Sequence, residues 1–252
     1  MLAVDSSLPL VLAVLFVSAT VRSTFGFADA LLAMPLLSML VGLRTASPLV
    51  ALVSLTVSTF IIARDWRDVR LRSVGVLVPS AWAGIAVGVI YLTMVDERIV
   101  KALLAAVIIG FCVFRLSAVR AGTLPGGERW AVPFGVVAGA LGGAYNTQGP
   151  ALVVYGTLRS WPAEDFRATI QAHFLLTGPL IVLAHGASGL WTPVVFADYL
   201  ASLPLLLLAS LIGRRLNRRL AGPAFSRIIY GILLVIGMAL LANVVGGVSG
   251  DW

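Results

Sequence analysis

Arg22-Ser23-Thr24-Phe25-Gly26-Phe27-Ala28-Asp29 and Gly142-Gly143-Ala144-Tyr145-Asn146-Thr147-Gln148-Gly149-Pro150 are polar breaks in otherwise apolar runs, spaced about 120 residues apart. Each separates two apolar pieces too short to cross a bilayer. The pieces are Leu8–Val21 and Ala30–Val41 around the first break, Trp130–Leu141 and Ala151–Leu158 around the second. At 1.5 Å per helical residue they reach about 12 to 21 Å, against roughly 30 Å of hydrocarbon. Paired broken segments at corresponding positions of two halves are the sequence mark of a transporter site.

The remaining apolar runs are long enough to span. They lie at 46–63, 73–94 and 99–116 in the first half and at 168–184, 193–212 and 226–245 in the second. The 252-residue chain is 60% hydrophobic and 12% charged, about half the charge of a soluble domain. This composition predicts an all-α integral membrane protein with one membrane domain. Met1–Ser7 carries Asp5 and no basic residue, unlike the start of a signal peptide.

The net charge of +7 does not point to nucleic acid, because the basic residues sit in short loops, where they set topology. Of the 18, 14 fall on one side: Arg64, Arg67, Arg70, Arg72, Arg115, Arg120, Arg129, Arg159, Arg167, Arg214, Arg215, Arg218, Arg219 and Arg227. Arg44, Arg98 and Lys101 fall on the other, and Arg22 stands alone within the membrane. With the rich side cytoplasmic, both termini are expected on the outer, periplasmic side.

The linker 119–129 and the connection Arg159–Arg167 then share the cytoplasmic side, so the segment 130–158 must enter and return as a re-entrant hairpin. By the same logic 8–42 forms a hairpin from the outer side. The expected architecture is two inverted repeats, 1–118 and 130–252, each a hairpin followed by three spans, with the tips meeting near the midplane. Irregular backbone at that depth is tolerated beside protein or a water-filled cavity. Eight ordinary spans, some tilted, are the competing arrangement. Trp66, Trp130, Trp161 and Trp191 fall at the ends of apolar runs, where indole prefers the interface.

An arginine near the bilayer centre costs at least about 2.5 kcal/mol, so Arg22 needs a partner or a role. Its planar fork suits an oxyanion. Permanent pairing with Asp29 and snorkelling to the outer surface are the alternatives. Asp29 reads as an N-cap of the second short helix, or as a protonatable switch that frees Arg22. Ser23, Thr24 and Gly26 at the first tip, and Asn146, Thr147, Gln148 and Gly149 at the second, are candidate substrate contacts. Both tips begin a helix, whose free N–H groups favour an anion. Gln171 and His173 follow the second hairpin and are candidate coupling or gating residues. Gly135, Gly139, Gly142 and Gly143 read as packing surface, Cys112 as a small core residue. His185 is expected in a solvated outer loop, and Asp198 close to the outer interface.

No catalytic triad, metal-ligand cluster or phosphate-binding loop is discernible, so neither enzyme activity, a metal nor another cofactor is expected. Transport would be secondary, with a small anion as substrate, a proton as candidate coupling ion and lipid as the surroundings. The oligomeric state is left open. A non-transporting membrane subunit, and a cation or metal permease built on Asp29 and His173, are the rival readings.

The paired motifs Phe25-Gly26-Phe27-Ala28-Asp29-Ala30-Leu31-Leu32-Ala33-Met34-Pro35-Leu36 and Gly142 to Leu152 resemble those of the sulfite exporter TauE/SafE family of bacterial membrane permeases, over nearly the whole chain. The resemblance implies movement of sulfite or organosulfonates across the bacterial inner membrane, in a direction left open, with an anion site at the two tips. Members commonly carry a glycine run where this chain has Ala28 and Asp29. A carboxylate there adds negative charge beside a doubly negative anion, so a larger organic or proton-linked anion fits the sequence equally.

Overall fold

The computed structural model describes residues 8–65, 69–117, 124, 127–220 and 223–246. Among the described residues the elements are ten α-helices and a short 3-10 turn, Glu128–Trp130. The first half contains α1 (Leu8–Phe25), α2 (Asp29–Leu40), α3 (Leu43–Asp65), α4 (Leu71–Met94) and α5 (Glu97–Leu116). The second contains α6 (Ala131–Tyr145), α7 (Gly149–Leu158), α8 (Ala163–Ala187), α9 (Pro193–Leu220) and α10 (Pro223–Val245). Seven of these, α1, α3, α4, α5, α8, α9 and α10, are long and apolar enough to cross a membrane. The chain is an all-helical integral membrane protein.

The helices overrun the expected spans. The run expected at 193–212 continues to Leu220, because arginines at a helix C-terminus do not stop it and favour its dipole. The first break is shorter than expected. Arg22, Ser23 and Thr24 lie in the last turns of α1, and only Gly26, Phe27 and Ala28 separate it from α2. Arg22 to Phe25 keep helical backbone, so polar side chains alone do not break a helix. Gly26, at φ 85°, and Ala28, at φ 81°, do. The second break is likewise three residues, Asn146 to Gln148, with Asn146 at φ 53°.

Leu124 N–H donates to Leu158 O at 3.0 Å, while the rest of the linker up to residue 126 is outside the described residues. So are Trp66, Arg67, Arg120 and both chain ends, on which the expected side of the termini depends.

Packing follows small residues. Along α6, Gly135, Gly139 and Gly143 face the backbone of α4 at Leu77, Ala81 and Ile85. Gly84 and Gly88 of α4 face Val136, Ala140 and Ala144 in return. A Cβ on Gly84 or Gly139 would overlap backbone atoms of the partner helix, so the two axes approach as membrane helices do where both contribute small residues. On the other side α1 packs along α9, with Gly213 against Thr20 and Ser23. Helices α3 and α8 cross at the centre and α5 packs on α10. Leu71, Val87, Met94, Leu183, Leu211 and Val235 point outward, as suits a lipid-facing surface.

Candidate functional site

The last turns of α1 deliver Arg22 to the middle of α3 and α8. Its side chain is buried and bonds Asp29 Oδ2 at 2.6 Å through one terminal nitrogen. The other terminal nitrogen donates to Ser58 Oγ and, at 3.3 Å, to Gln171 Oε1. The guanidinium lies over the Phe174 ring, 4.7 Å from its centroid. Its Nε has no hydrogen-bond partner among the described residues.

Asp29 is the first residue of α2 and does not cap it. The cap position is Ala28, which gives no side-chain bond. The expectation of an N-cap fails because the left-handed backbone at Ala28 turns the carboxylate toward Arg22 and Ser54, whose Oγ donates to Oδ2 at 2.7 Å. A negative group in the first turn still complements the helix dipole.

Gln171 joins the two sides of the network. Its Oε1 accepts from Arg22 and its Nε2 donates to Gly26 O. At the second tip, Asn146 Nδ2 donates to Ser47 O at 2.8 Å, and Gln148 Oε1 accepts from Thr177 Oγ1 at 3.0 Å. Gln171 and Thr177 stand six residues apart on α8, about 9 Å in height. The tips therefore flank the middle of α8 at different depths.

Arg22, Ser54, Ser58, Asn146, Gln148, Phe174, Ala51, Leu55 and Gly178 enclose a cavity of about 10 Å³ between the tips. That holds about one water and is too small for an oxyanion. The polar groups around it are bonded to one another.

The other expected site residues lie elsewhere. Thr24 Oγ1 bonds Thr20 O and Gly213 O, at 2.8 and 3.2 Å, against α9. Ser23 packs against Gly213, and its carbonyl accepts from Arg167 at 3.4 Å. Thr147 Oγ1 donates to Tyr145 O at 3.0 Å. Gly149 sits beside the Phe27 ring. His173 is fully buried on α8, and neither ring nitrogen has a partner among the described residues. It does not join Asp29: among the described residues no group of three or more His, Cys, Asp or Glu side chains is placed to hold a metal.

His185 is not in a solvated loop. It lies fully buried near the end of α8, with Nε2 2.8 Å from Gly143 O. The reason is local. Helix α6 ends at Tyr145, so its last carbonyls lack intrahelical donors. His185 meets Gly143 O, Ser47 Oγ donates to Ala144 O at 2.9 Å, and Thr147 serves Tyr145 O. Asp198 is buried in α9.

Ser47, Ser54, Ser58, Phe174 and Thr177 were missed by the sequence reading. Ser47, Ser54 and Ser58 follow an i, i+7, i+11 spacing, which puts them on one face of α3. That polar stripe in an apolar span was the available signal.

The sulfite exporter TauE/SafE family model matches residues 10–240. The chain belongs to the sulfite exporter TauE/SafE family. A probable inner membrane transporter protein, TsaS, of Comamonas testosteroni is 27% identical over 179 residues, covering 70% of this chain and 74% of the relative. A probable sulfite/organosulfonate exporter, TauE, of Cupriavidus necator is 26% identical over 178 residues, covering 70% and 68%. No solved structure matches. Membership of a transporter family accords with seven apolar helices and a buried polar centre.

Proposed function

We propose that this chain is a secondary transporter that carries a small anion, sulfite, an organosulfonate or a related organic anion, across the bacterial inner membrane by alternating access. One observation carries the reading: a buried arginine is held by a carboxylate from the same hairpin, between the N-termini of two short helices. The Asp29 carboxylate occupies the place an anionic substrate would take. When Asp29 takes up a proton, Arg22 loses its partner. A monovalent anion then restores the pairing, with Ser54, Ser58 and Gln171 as further polar contacts and Asn146 and Gln148 closing from the second tip. The buried charge is balanced before the proton enters and again once the anion is bound, so one proton accompanies one anion.

The repeat reading, 1–118 and 130–252 joined by 119–129, is supported by which helices pack. Exchanging α1 with α6, α2 with α7, α3 with α8, α4 with α9 and α5 with α10 turns the α1–α9 contact into α6–α4, and α3–α9 into α8–α4. It returns α3–α8 and α5–α10 to themselves. With the arginine-rich side cytoplasmic, both termini lie in the periplasm.

A structural latch is the second reading, favoured by the fully formed Arg22–Asp29 pair. Transport by purified protein in liposomes separates the two. Arg22→Gln is expected to abolish anion flux, and flux equal to the unsubstituted protein's would sink the assignment.

A further inference from the structure

The two short hairpin helices are not bedded alike. Helix α2 packs on α1 and α3 and also reaches α10 and α5. Its counterpart under the proposed repeat, α7, has α6 and α8 as its main neighbours. Between α7, α6 and α5 lies an open, apolar cavity of about 480 Å³, lined on the α5 side by Ala106, Gly110 and Phe114 and on the α7 side by Pro150, Ala151 and Val154. Helix α7, which begins just after Gln148 of the polar cavity, thus has unfilled space beside it.

The volumes make the connection. The tip cavity, about 10 Å³, admits no anion, so some wall must withdraw before one can bind. Helix α3 and α8 pack centrally on each other, and α6 is locked to α4 through glycine contacts that leave no slack. Packed interiors deform by switching between discrete arrangements and hardly by stretching. Helix α7 has room behind it and is joined to α6 by only three non-helical residues, Asn146 to Gln148.

We propose that α7 is the moving gate of this protein, and that the cavity between α5 and α6 is the seat it occupies when the tip site opens. The occupant of the cavity is the chain's own α7, moving toward α5 as α2 already leans on α10. Withdrawal breaks the Gln148–Thr177 bond and carries Gln148 away from Arg22, opening the site on one side of the membrane. This rests on the transport reading of the tips.

Two experiments test it, the first without any substrate. Cysteines replace Gly110 and Val154 in a Cys112→Ala background, and the protein in liposomes is treated with copper phenanthroline and oxygen as oxidant. A disulfide brings the two Cβ atoms to about 3.5–4.5 Å, while a Cβ at Gly110 meets nothing within 4 Å, so its formation reports α7 moving toward α5. The expected result is a disulfide; its absence overturns the gate. In the second, Gly110→Leu with Ala106→Leu fills the seat. A Cβ at Gly110 meets nothing within 4 Å, so thermal stability should hold or rise while anion flux falls at least about tenfold. Gly231→Leu, also in open space on α10, should leave flux unchanged. Normal flux in the filled variant overturns the proposal, and a cavity that only harbours lipid gives that result. If the disulfide forms but the unsubstituted protein moves no anion, the transport reading fails and the motion stands.

Discussion

Gly26 and Asn146, 120 residues apart, are each held by the third helix of the opposite half. Gln171 of α8 donates to Gly26 O, and Asn146 donates to Ser47 O of α3. Both residues have positive φ, 85° and 53°. Each hairpin is also held by its own half, through Ser54 to Asp29 and Thr177 to Gln148. The tips are thus cross-braced, and under the proposed function an anion would have to exchange braces as well as find room.

Removing one member of the buried pair should be worse than removing both. Arg22→Gln leaves a carboxylate in a low-dielectric centre, where breaking a buried pair costs about 3–5 kcal/mol. The double variant Arg22→Gln, Asp29→Asn should recover most of that loss in detergent unfolding, giving a coupling energy in a double-mutant cycle. Flux should stay absent in the double variant if Arg22 holds the anion. Recovery of flux together with stability would identify a structural latch.

Asp29→Asn should uncouple anion movement from protons. The amide keeps the shape but leaves the Arg22 charge unopposed, so the anion binds without an accompanying proton. Binding should tighten by about tenfold, or roughly 1.4 kcal/mol, and flux driven by a pH gradient should disappear. Liposome flux measured with and without the gradient decides this; a gradient response equal to the unsubstituted protein's would exclude Asp29 as the proton carrier.

Hydropathy alone located both breaks, because a helix interruption inside an apolar run is a large composition signal. It placed the start of the first break wrongly, because Arg22, Ser23 and Thr24 are polar yet fully compatible with helix, and periodicity cannot separate a polar helical turn from a loop. It also missed the polar face of α3, since Ser54 and Ser58 are small and bond within helices as readily as across them; Ser58 Oγ itself donates to Ser54 O at 2.9 Å. His185 was misplaced for a different reason. What buries it is a carbonyl 42 residues away, left over where α6 stops, and no local pattern records that need.

Gln171→Leu should weaken the first tip at two points at once. It strips an acceptor from Arg22 and the donor that satisfies Gly26 O, the latter a buried carbonyl whose loss costs about 1–3 kcal/mol. The unfolding midpoint should fall, and anion affinity should change more than the maximal flux. Gln171→Glu restores the acceptor but not the donor, so it should regain only part of either property.

Gly139→Leu should destabilise the protein far more than Gly110→Leu, although both put leucine into a membrane helix. At Gly139 the new side chain meets the Ala81 backbone of α4, and at Gly110 it meets open space. Overpacking costs about 1–3 kcal/mol and occasionally more, and rigid backbone on the far side places Gly139 at the upper end. Unfolding in detergent, followed by loss of helical circular dichroism, should rank Gly139→Leu clearly below Gly110→Leu. Equal stabilities would mean that α4 and α6 separate easily, and α7 would then not be the element with freedom to move.

His185→Phe separates structure from transport at the second tip. The ring fills similar space but cannot donate to Gly143 O, so one orphan carbonyl at the end of α6 is left buried, at about 1–3 kcal/mol. Because His185 caps that helix without touching the cavity between the tips, flux per folded molecule should change by less than about threefold at a temperature where the variant stays folded. His185→Gln keeps a donor on a shorter arm and should recover part of the lost stability. A large loss of flux in both variants, with stability intact, would instead place His185 in the transport pathway.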